Sequence, residues 1–115
     1  MINPQFDVAF DFSEGLAPVR MGGAEGKWGF IDQTGKIMIQ LKYRKAYSFS
    51  QGLAPVQINE QWGYINKNGK VVISPQFLEA MPFRGGLAEV KAGSWSKYQL
   101  GYIDKTGKYV WEPTE

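Results

Sequence analysis

The feature that most constrains this chain is that it repeats itself. A block beginning at an aromatic–glycine pair, "WGFIDQTGK", returns as "WGYINKNGK" and, with leucine in place of tryptophan, as "LGYIDKTGK". Trp28 and Trp62 are 34 positions apart, whereas Gly69 and Gly107 are 38 apart. Self-similarity at this period is typical of stacked structural units. We therefore expect a single domain over 1–115, with repeats at about 2–36, 37–70 and 71–108 and a partial next strand at 109–115.

Each repeat is predicted to contain three short β-strands. The first consists of "GLAPV" or "GLAEV" and the residues after it, the second contains the aromatic–glycine block, and the third reads "KIMI", "KVVI" or "KYVW". Trp62 and Tyr64 point to one side of the second strand and Gly63 and Ile65 to the other, so both faces are expected to be partly covered. The predicted fold is all-β, a tandem array of three three-stranded antiparallel meanders. The alternative is a closed pseudo-threefold barrel of the trefoil type.

The segments between repeats read "AFDFSEG", "AYSFSQG" and "AMPFRGG". An alanine and a phenylalanine three positions apart, followed by glycine, favour a 3₁₀ turn or compact loop that ends at a left-handed glycine. Both chain ends, "INPQF" and "WEPTE", occupy the same phase of the repeat as "ISPQF" at 73–77. Having both favours an open array with a third strand at each end.

The stretch "DKTGK" differs by one residue from the phosphorylation signature of P-type transport ATPases. Its aspartate, Asp104, is matched by Asp32 and by Asn66, and an asparagine cannot form an acyl phosphate. The recurring requirement is therefore a tight turn, in which a short side-chain oxygen accepts backbone N–H groups and a glycine adopts a left-handed conformation. The predicted structural turn residues are Asp32, Gly35, Asn66, Gly69, Asp104 and Gly107.

Aromatic residues that recur with the repeat are expected to pack between units. Trp28 and Trp62 could instead stack on a sugar or a peptide, but recurrence at the unit spacing favours the core. The predicted repeat-core aromatics are Trp28, Trp62, Phe12, Phe49 and Phe83.

Composition argues against catalysis and against several partner classes. The chain has no histidine and no cysteine, which removes the commonest general base, the thiolate nucleophile and the commonest transition-metal ligands. We predict no catalytic residue, no metal and no cofactor. A net charge of +2 is too small to indicate a nucleic-acid partner, and no apolar run is long enough to span a bilayer. Without a leader pattern, a cytoplasmic location is favoured.

Residues that do not recur are the better candidates for function. The third repeat carries an insertion, "AGSWSKYQ", which places Trp95, Lys97 and Tyr98 at a hairpin tip. Exposed rings supply contact area at low entropic cost, so this tip is a candidate partner-binding site together with the variable positions Arg20 and Lys91. The alternative is that Trp95 folds back and replaces the bulk that is lost at Leu100.

The block "WG(F/Y)I(D/N)xxGK", preceded by "GLAPV", resembles the WG-repeat family of bacterial proteins. The resemblance implies a β-hairpin repeat fold and a binding or interaction role, in some members beside toxin systems; it transfers no catalytic residue. The leading hypothesis is a non-catalytic module that binds another protein, and toxin neutralisation is one specific form of it that the family resemblance suggests. The alternatives are a carbohydrate or cell-wall binding module and a structural segment that self-associates through edge strands.

Overall fold

The computed structural model describes residues 6–23 and 26–111. Expectations about the chain ends at 2–5 and 112–115, and about the residues at 24–25 in the first hairpin tip, lie outside the described part. Within that part the chain forms twelve antiparallel strands in three four-stranded sheets, and the molecule measures 48 × 28 × 20 Å. The three sheets follow one another in sequence order.

Each sheet keeps its strands in chain order. The first sheet contains β1 (Val8–Ala9), β2 (Ala17–Met21), β3 (Lys27–Ile31) and β4 (Ile37–Tyr43). The second contains β5 (Lys45–Ala46), β6 (Ala54–Ile58), β7 (Gln61–Ile65) and β8 (Val71–Phe77). The third contains β9 (Glu79–Ala80), β10 (Ala88–Ser94), β11 (Lys97–Ile103) and β12 (Tyr109–Trp111).

The prediction of three strands per repeat was wrong by one strand. After β4 the chain bends at Arg44 and contributes the two residues of β5 to the next sheet, where Lys45 pairs with Gln57 and Ala46 with Val56. A bend at Leu78 carries β8 into β9 in the same way. A two-residue strand is too short to produce a periodic pattern, so the sequence gives no sign of it. The closed trefoil alternative is also wrong, because the described strands form three separate sheets.

The segment after each two-residue strand is not a 3₁₀ turn. Ser50 and Leu53 exchange two backbone hydrogen bonds of 2.9 and 3.2 Å, with Gln51 and Gly52 between them at φ values of 56° and 86°. Two central residues with positive φ define a type I′ turn, which the twist of paired strands favours. The first and third repeats have the same turn, between Ser13 and Leu16 and between Arg84 and Leu87. The glycine is left-handed as expected, but in a hairpin turn instead of a helical one.

The glycine of the aromatic–glycine pair lies under the fourth strand of its own sheet. A Cβ atom added at Gly63 would lie 2.5 Å from the Ile73 carbonyl oxygen and 2.8 Å from the Pro75 nitrogen. The pairing of β7 with β8 shifts register between Trp62 and Tyr64, the interval that contains Gly63, and again between Tyr64 and Ile65, so the longer strand bulges across the glycine. Gly29 has the same relation to Ile39. The pair therefore recurs because backbone approaches too closely for any side chain.

The core is a series of layers between sheets. One buried cluster joins Trp28 and Phe30 of the first sheet to Ala54, Val56 and Ile65 of the second. The next cluster joins Trp62 and Tyr64 of the second sheet to small aliphatic residues of the third, namely Ala88, Val90 and Ile103. At both interfaces the earlier sheet thus offers an aromatic face and the later sheet an aliphatic face. Both faces of the second sheet are buried.

Candidate functional site

The hairpin of the third sheet is longer than the other two. Strands β10 and β11 have seven residues each, whereas the corresponding strands of the first two sheets have five. The extra pairs are Gly93 with Tyr98 and Ser94 with Lys97, and Trp95 and Ser96 form the turn. Gly93 has a φ of 109°, and a Cβ there would lie 2.7 Å from the Lys97 carbonyl oxygen. The glycine in the insertion therefore permits the hairpin to extend.

The tip carries two exposed rings in mutual contact. Trp95 is 60% exposed and Tyr98 is 44% exposed, and their ring centroids lie 5.9 Å apart at an interplanar angle of 72°. The Lys91 ammonium lies over both rings, 5.3 Å from the Trp95 centroid and 5.0 Å from the Tyr98 centroid. A cation in this position is attracted by the ring quadrupoles. Trp95 is too exposed to supply the core bulk that is missing at Leu100, so the folded-back alternative does not fit.

Lys91 is held from its other side by Glu79, which sequence reasoning missed. The lysine ammonium lies 3.0 Å from a Glu79 carboxylate oxygen, and the two residues are paired across β10 and β9. This contact raises the pKa of Lys91 above its usual value. A small cavity of about 190 Å³ next to the pair is lined by Glu79, Met81, Glu89, Val90 and Lys91. Glu79 was overlooked because it lies on a two-residue strand that has no sequence signature.

The predicted site residues are only partly brought together. Trp95, Tyr98 and Lys91 form one cluster, with exposed Lys97 beside the turn. Arg20 lies in the first sheet, opposite Val8 and Trp28, and its Nε atom is buried without a hydrogen-bond partner among the described residues. The column that contains Arg20 and Lys91 is therefore spread over separate sheets.

The turn residues lie where β3 and β4, and their equivalents, meet. Gly35, Gly69 and Gly107 have φ values of 90°, 83° and 89°. Oδ1 of Asp32 accepts hydrogen bonds from the Thr34 hydroxyl and from the backbone N–H groups of Thr34 and Lys36.

Asp104 makes the equivalent contacts with Thr106 and Lys108, and Asn66 accepts from two backbone N–H groups. The threonine hydroxyl is the main cause that lowers the pKa of each aspartate, with further help from backbone N–H groups. The Oδ1 atom of each of the three residues therefore accepts hydrogen bonds within its own turn.

The recurring aromatics lie between or against the sheets. Trp28 and Trp62 are buried, and Phe49 and Phe83 pack edge-on against Phe30 and Tyr64 at centroid distances of 4.8 and 5.0 Å. Phe12 is only half-buried, against the aliphatic face of the first sheet. Among the described residues no group of three or more acidic side chains is placed to hold a metal ion. No helix in the described part is long and apolar enough to cross a membrane.

Three stacked antiparallel sheets built from one recurring motif define a β-repeat protein. The family described as "WG containing repeat" matches residues 1–23, 28–62 and 62–94, and the chain belongs to this family. No curated protein and no solved structure matches the chain. The matched segments end at Ser94, so the Trp95 tip and the leucine-containing third block lie beyond them.

Proposed function

We propose that this chain is a non-catalytic protein-binding module whose contact surface is centred on Trp95 and Tyr98. The observation that carries the proposal is the extended third hairpin, which holds two exposed rings at a tip that the repeat does not require. Tryptophan and tyrosine are enriched among the residues that dominate protein interfaces. Lys91 and Glu79 support the proposal, because they fix the base of the tip before any partner arrives.

The geometry favours a protein partner over a sugar. The two rings meet edge to face at 72°, so they do not form a shared flat platform for a pyranose ring. Charges of both signs lie close by at Lys91, Lys97 and Glu79, as at the rim of a protein interface. Neutralisation of a toxin is the more specific form of this proposal, and it rests on family resemblance alone.

The test is capture of partners from a bacterial lysate by the wild-type chain and by a Trp95→Ala, Tyr98→Ala variant. We expect the wild type to retain a protein that the variant loses. Met38→Ala is the matched control, because Met38 is an exposed apolar residue, at 51%, on β4 of the first sheet. If all three proteins captured the same partner in equal amounts, the Trp95 tip would not be the binding surface.

A glycan titration separates the carbohydrate alternative. The tryptophan emission of the wild type is compared with that of Trp95→Phe, so that the signal of Trp95 is isolated from the other three tryptophans. Under the protein-binding proposal, glycans and peptidoglycan fragments leave this difference spectrum unchanged. A saturable shift would favour the carbohydrate module instead.

A further inference from the structure

The outward face of the third sheet is partly exposed where the equivalent face of the second sheet is buried. Leu87 is 36% exposed, compared with 5% for Leu53 at the same place in the second sheet. Tyr102 is 38% exposed, and its equivalent Tyr64 is fully buried. Leu87 and Tyr102 also line an open cavity of about 560 Å³ on this face. The described part of the chain therefore covers this apolar sheet face only in part.

Two charged residues distinguish this face from the equivalent faces inside the molecule. Arg84 stands where the second unit has Ser50, and Glu89 stands where it has the buried Pro55. The first unit agrees with the second at both positions, so the two charges are confined to the third unit. Arg84 and Glu89 line the same cavity as the exposed apolar residues. The outward face thus combines apolar side chains with one positive and one negative group.

Neither charge is neutralised by a salt bridge among the described residues. Arg84 is exposed and lies in no ion pair there. Glu89 lies near Lys91, but the Lys91 ammonium contacts a Glu79 carboxylate oxygen at 3.0 Å. Glu79 is the main cause that raises the pKa of Lys91, and Glu89 adds a smaller contribution. Both Arg84 and Glu89 can therefore pair with charges on a partner.

An aliphatic sheet of the kind found inside the molecule does not suit this face. Tyr64 is covered by small aliphatic residues of the third sheet, in one buried cluster. The same cover over the third sheet would bury Glu89 without a partner, and an unpaired buried charge is costly. The occupant must instead place a basic group opposite Glu89 and an acidic group opposite Arg84. A second copy of the same face has both groups, together with apolar side chains.

We propose that two copies of this chain pair through the outward faces of their third sheets, related by a two-fold axis. In this contact Arg84 of each copy lies opposite Glu89 of the other, so two ion pairs accompany the apolar contact of Leu87 and Tyr102. A two-fold contact uses the same patch on both copies and closes at the dimer. It joins sheet faces and is thus distinct from association through strand edges.

The size of the face indicates a weak dimer. Strand β10 has seven residues and the sheet has four strands, so the face measures at most about 23 × 19 Å. This is about 440 Å² for each copy, less than the roughly 800 Å² of a standard stable interface. Ser94, next to the Trp95 tip, lies about 17 Å along β10 from Glu89. The dimer contact therefore goes beyond the proposed function and leaves the tip accessible.

Sedimentation velocity of the untagged full chain, at concentrations up to about 1 mM, tests the proposal. We expect the wild type to show an equilibrium between monomer and dimer, with no larger species. Leu100→Glu should weaken the dimer at least tenfold, because Leu100 is 41% exposed on this face and the variant puts a charge into an apolar contact. Met38→Glu, at an exposed position on β4, is the matched control and should dimerise as the wild type does. A monomer at every concentration, or species that grow beyond the dimer, would overturn the proposal.

A charge exchange tests the particular pairing. Arg84→Glu and Glu89→Arg should each weaken the dimer by about tenfold, because each places like charges opposite one another across the two-fold axis. An equimolar mixture of these two variants should dimerise about as well as the wild type, since one face is then acidic and the other basic. The variant with both substitutions should recover as well. Circular dichroism checks that each variant is folded, and a mixture that stays monomeric would contradict the two-fold pairing.

The tip variant separates this proposal from the proposed function. Trp95→Ala, Tyr98→Ala should dimerise as the wild type does, because both residues lie outside the dimer contact. Arg84→Glu should still capture the partner that the tip binds. Loss of dimerisation and loss of partner capture are thus separate results, and a tip variant that no longer dimerises would overturn the dimer contact described above.

Discussion

The aromatic face of the second sheet and the outward face of the third sheet have nearly the same sequence pattern but opposite surroundings. Tyr64 is fully buried beneath the third sheet, and Tyr102, its equivalent, is 38% exposed. The backbone around both positions is an antiparallel hairpin in the same register, with Tyr64 opposite Pro55 and Tyr102 opposite Glu89. The difference shows that the repeat sequence specifies an aromatic, apolar face on each sheet. Whether that face is buried depends on whether another sheet packs against it.

Replacing each tyrosine by alanine should give the largest contrast. Tyr64→Ala removes a fully buried ring between two sheets, and we expect a loss of about 3–5 kcal/mol in the free energy of unfolding. Tyr102→Ala acts on a partly exposed ring and should cost about 1 kcal/mol. Urea denaturation of both variants measures the two losses. Similar losses would mean that the outward face is already covered within the single chain.

The serine contacts between units provide a smaller test of the same comparison. Ser50→Ala removes the hydroxyl that donates to the Phe83 carbonyl across the second and third sheets, with an expected cost of about 1 kcal/mol. Ser13→Ala should behave alike at the first interface. Arg84→Ala, at the same place on the open end, should stay within about 0.5 kcal/mol of the wild type in dilute solution. A cost at Arg84 equal to that at Ser50 would contradict the assignment of this end as open.

Substitutions in the hairpin turns should have the smallest effect on stability, because the three turns make the same side-chain-to-backbone hydrogen bonds in all three sheets. The Thr34 and Thr106 hydroxyls and backbone N–H groups hold the pKa of Asp32 and Asp104 below the ordinary value of 3.8. A carboxylate with a lowered folded-state pKa stabilises the fold above its unfolded pKa, and this stabilisation is lost as pH falls through the folded value. Asn66 has no such dependence.

An Asp32→Asn, Asp104→Asn variant isolates this contribution. Thermal melting of the wild type and of the variant should be compared between about pH 2 and pH 6, on both sides of the ordinary aspartate pKa. We expect the wild-type advantage to be present near pH 6 and to narrow as pH falls below about 4. A constant difference over the whole range would show that the aspartates contribute nothing through their charge.

The all-β repeat fold could be predicted from the sequence because the patterns that indicate it, strand alternation and turn residues, lie within short segments. The alternation of Trp62, Gly63, Tyr64 and Ile65 predicted a strand with two covered faces, and the buried clusters on either side confirm it. The all-β array was confirmed as well, although with four strands per sheet. The additional strand of each sheet could not be predicted. Lys45 and Ala46 form a strand only because they pair with β6, and two residues are too few to show a periodic pattern of their own.

The candidate site was predicted in part. Trp95 and Tyr98 could be singled out because they lie in an insertion, and the structure places their rings in contact. The contribution of Glu79 depends on the register of β9 against β10, which composition and spacing do not determine. Arg20 was grouped with Lys91 because the two residues occupy the same position in the repeat. Each repeat forms its own sheet, so residues at equivalent positions lie in different sheets.

The bends at Arg44 and Leu78 have a consequence for how the molecule loses structure. The last strand of one sheet ends just before each bend, and the two-residue strand that follows the bend is the first strand of the next sheet. Contacts are thus made within a sheet or with an adjacent one, as in a one-dimensional chain of coupled units. Such a chain opens from its ends, where a layer has one neighbour, before its centre, where a layer has two. Amide protons of β6 and β7 should therefore exchange last.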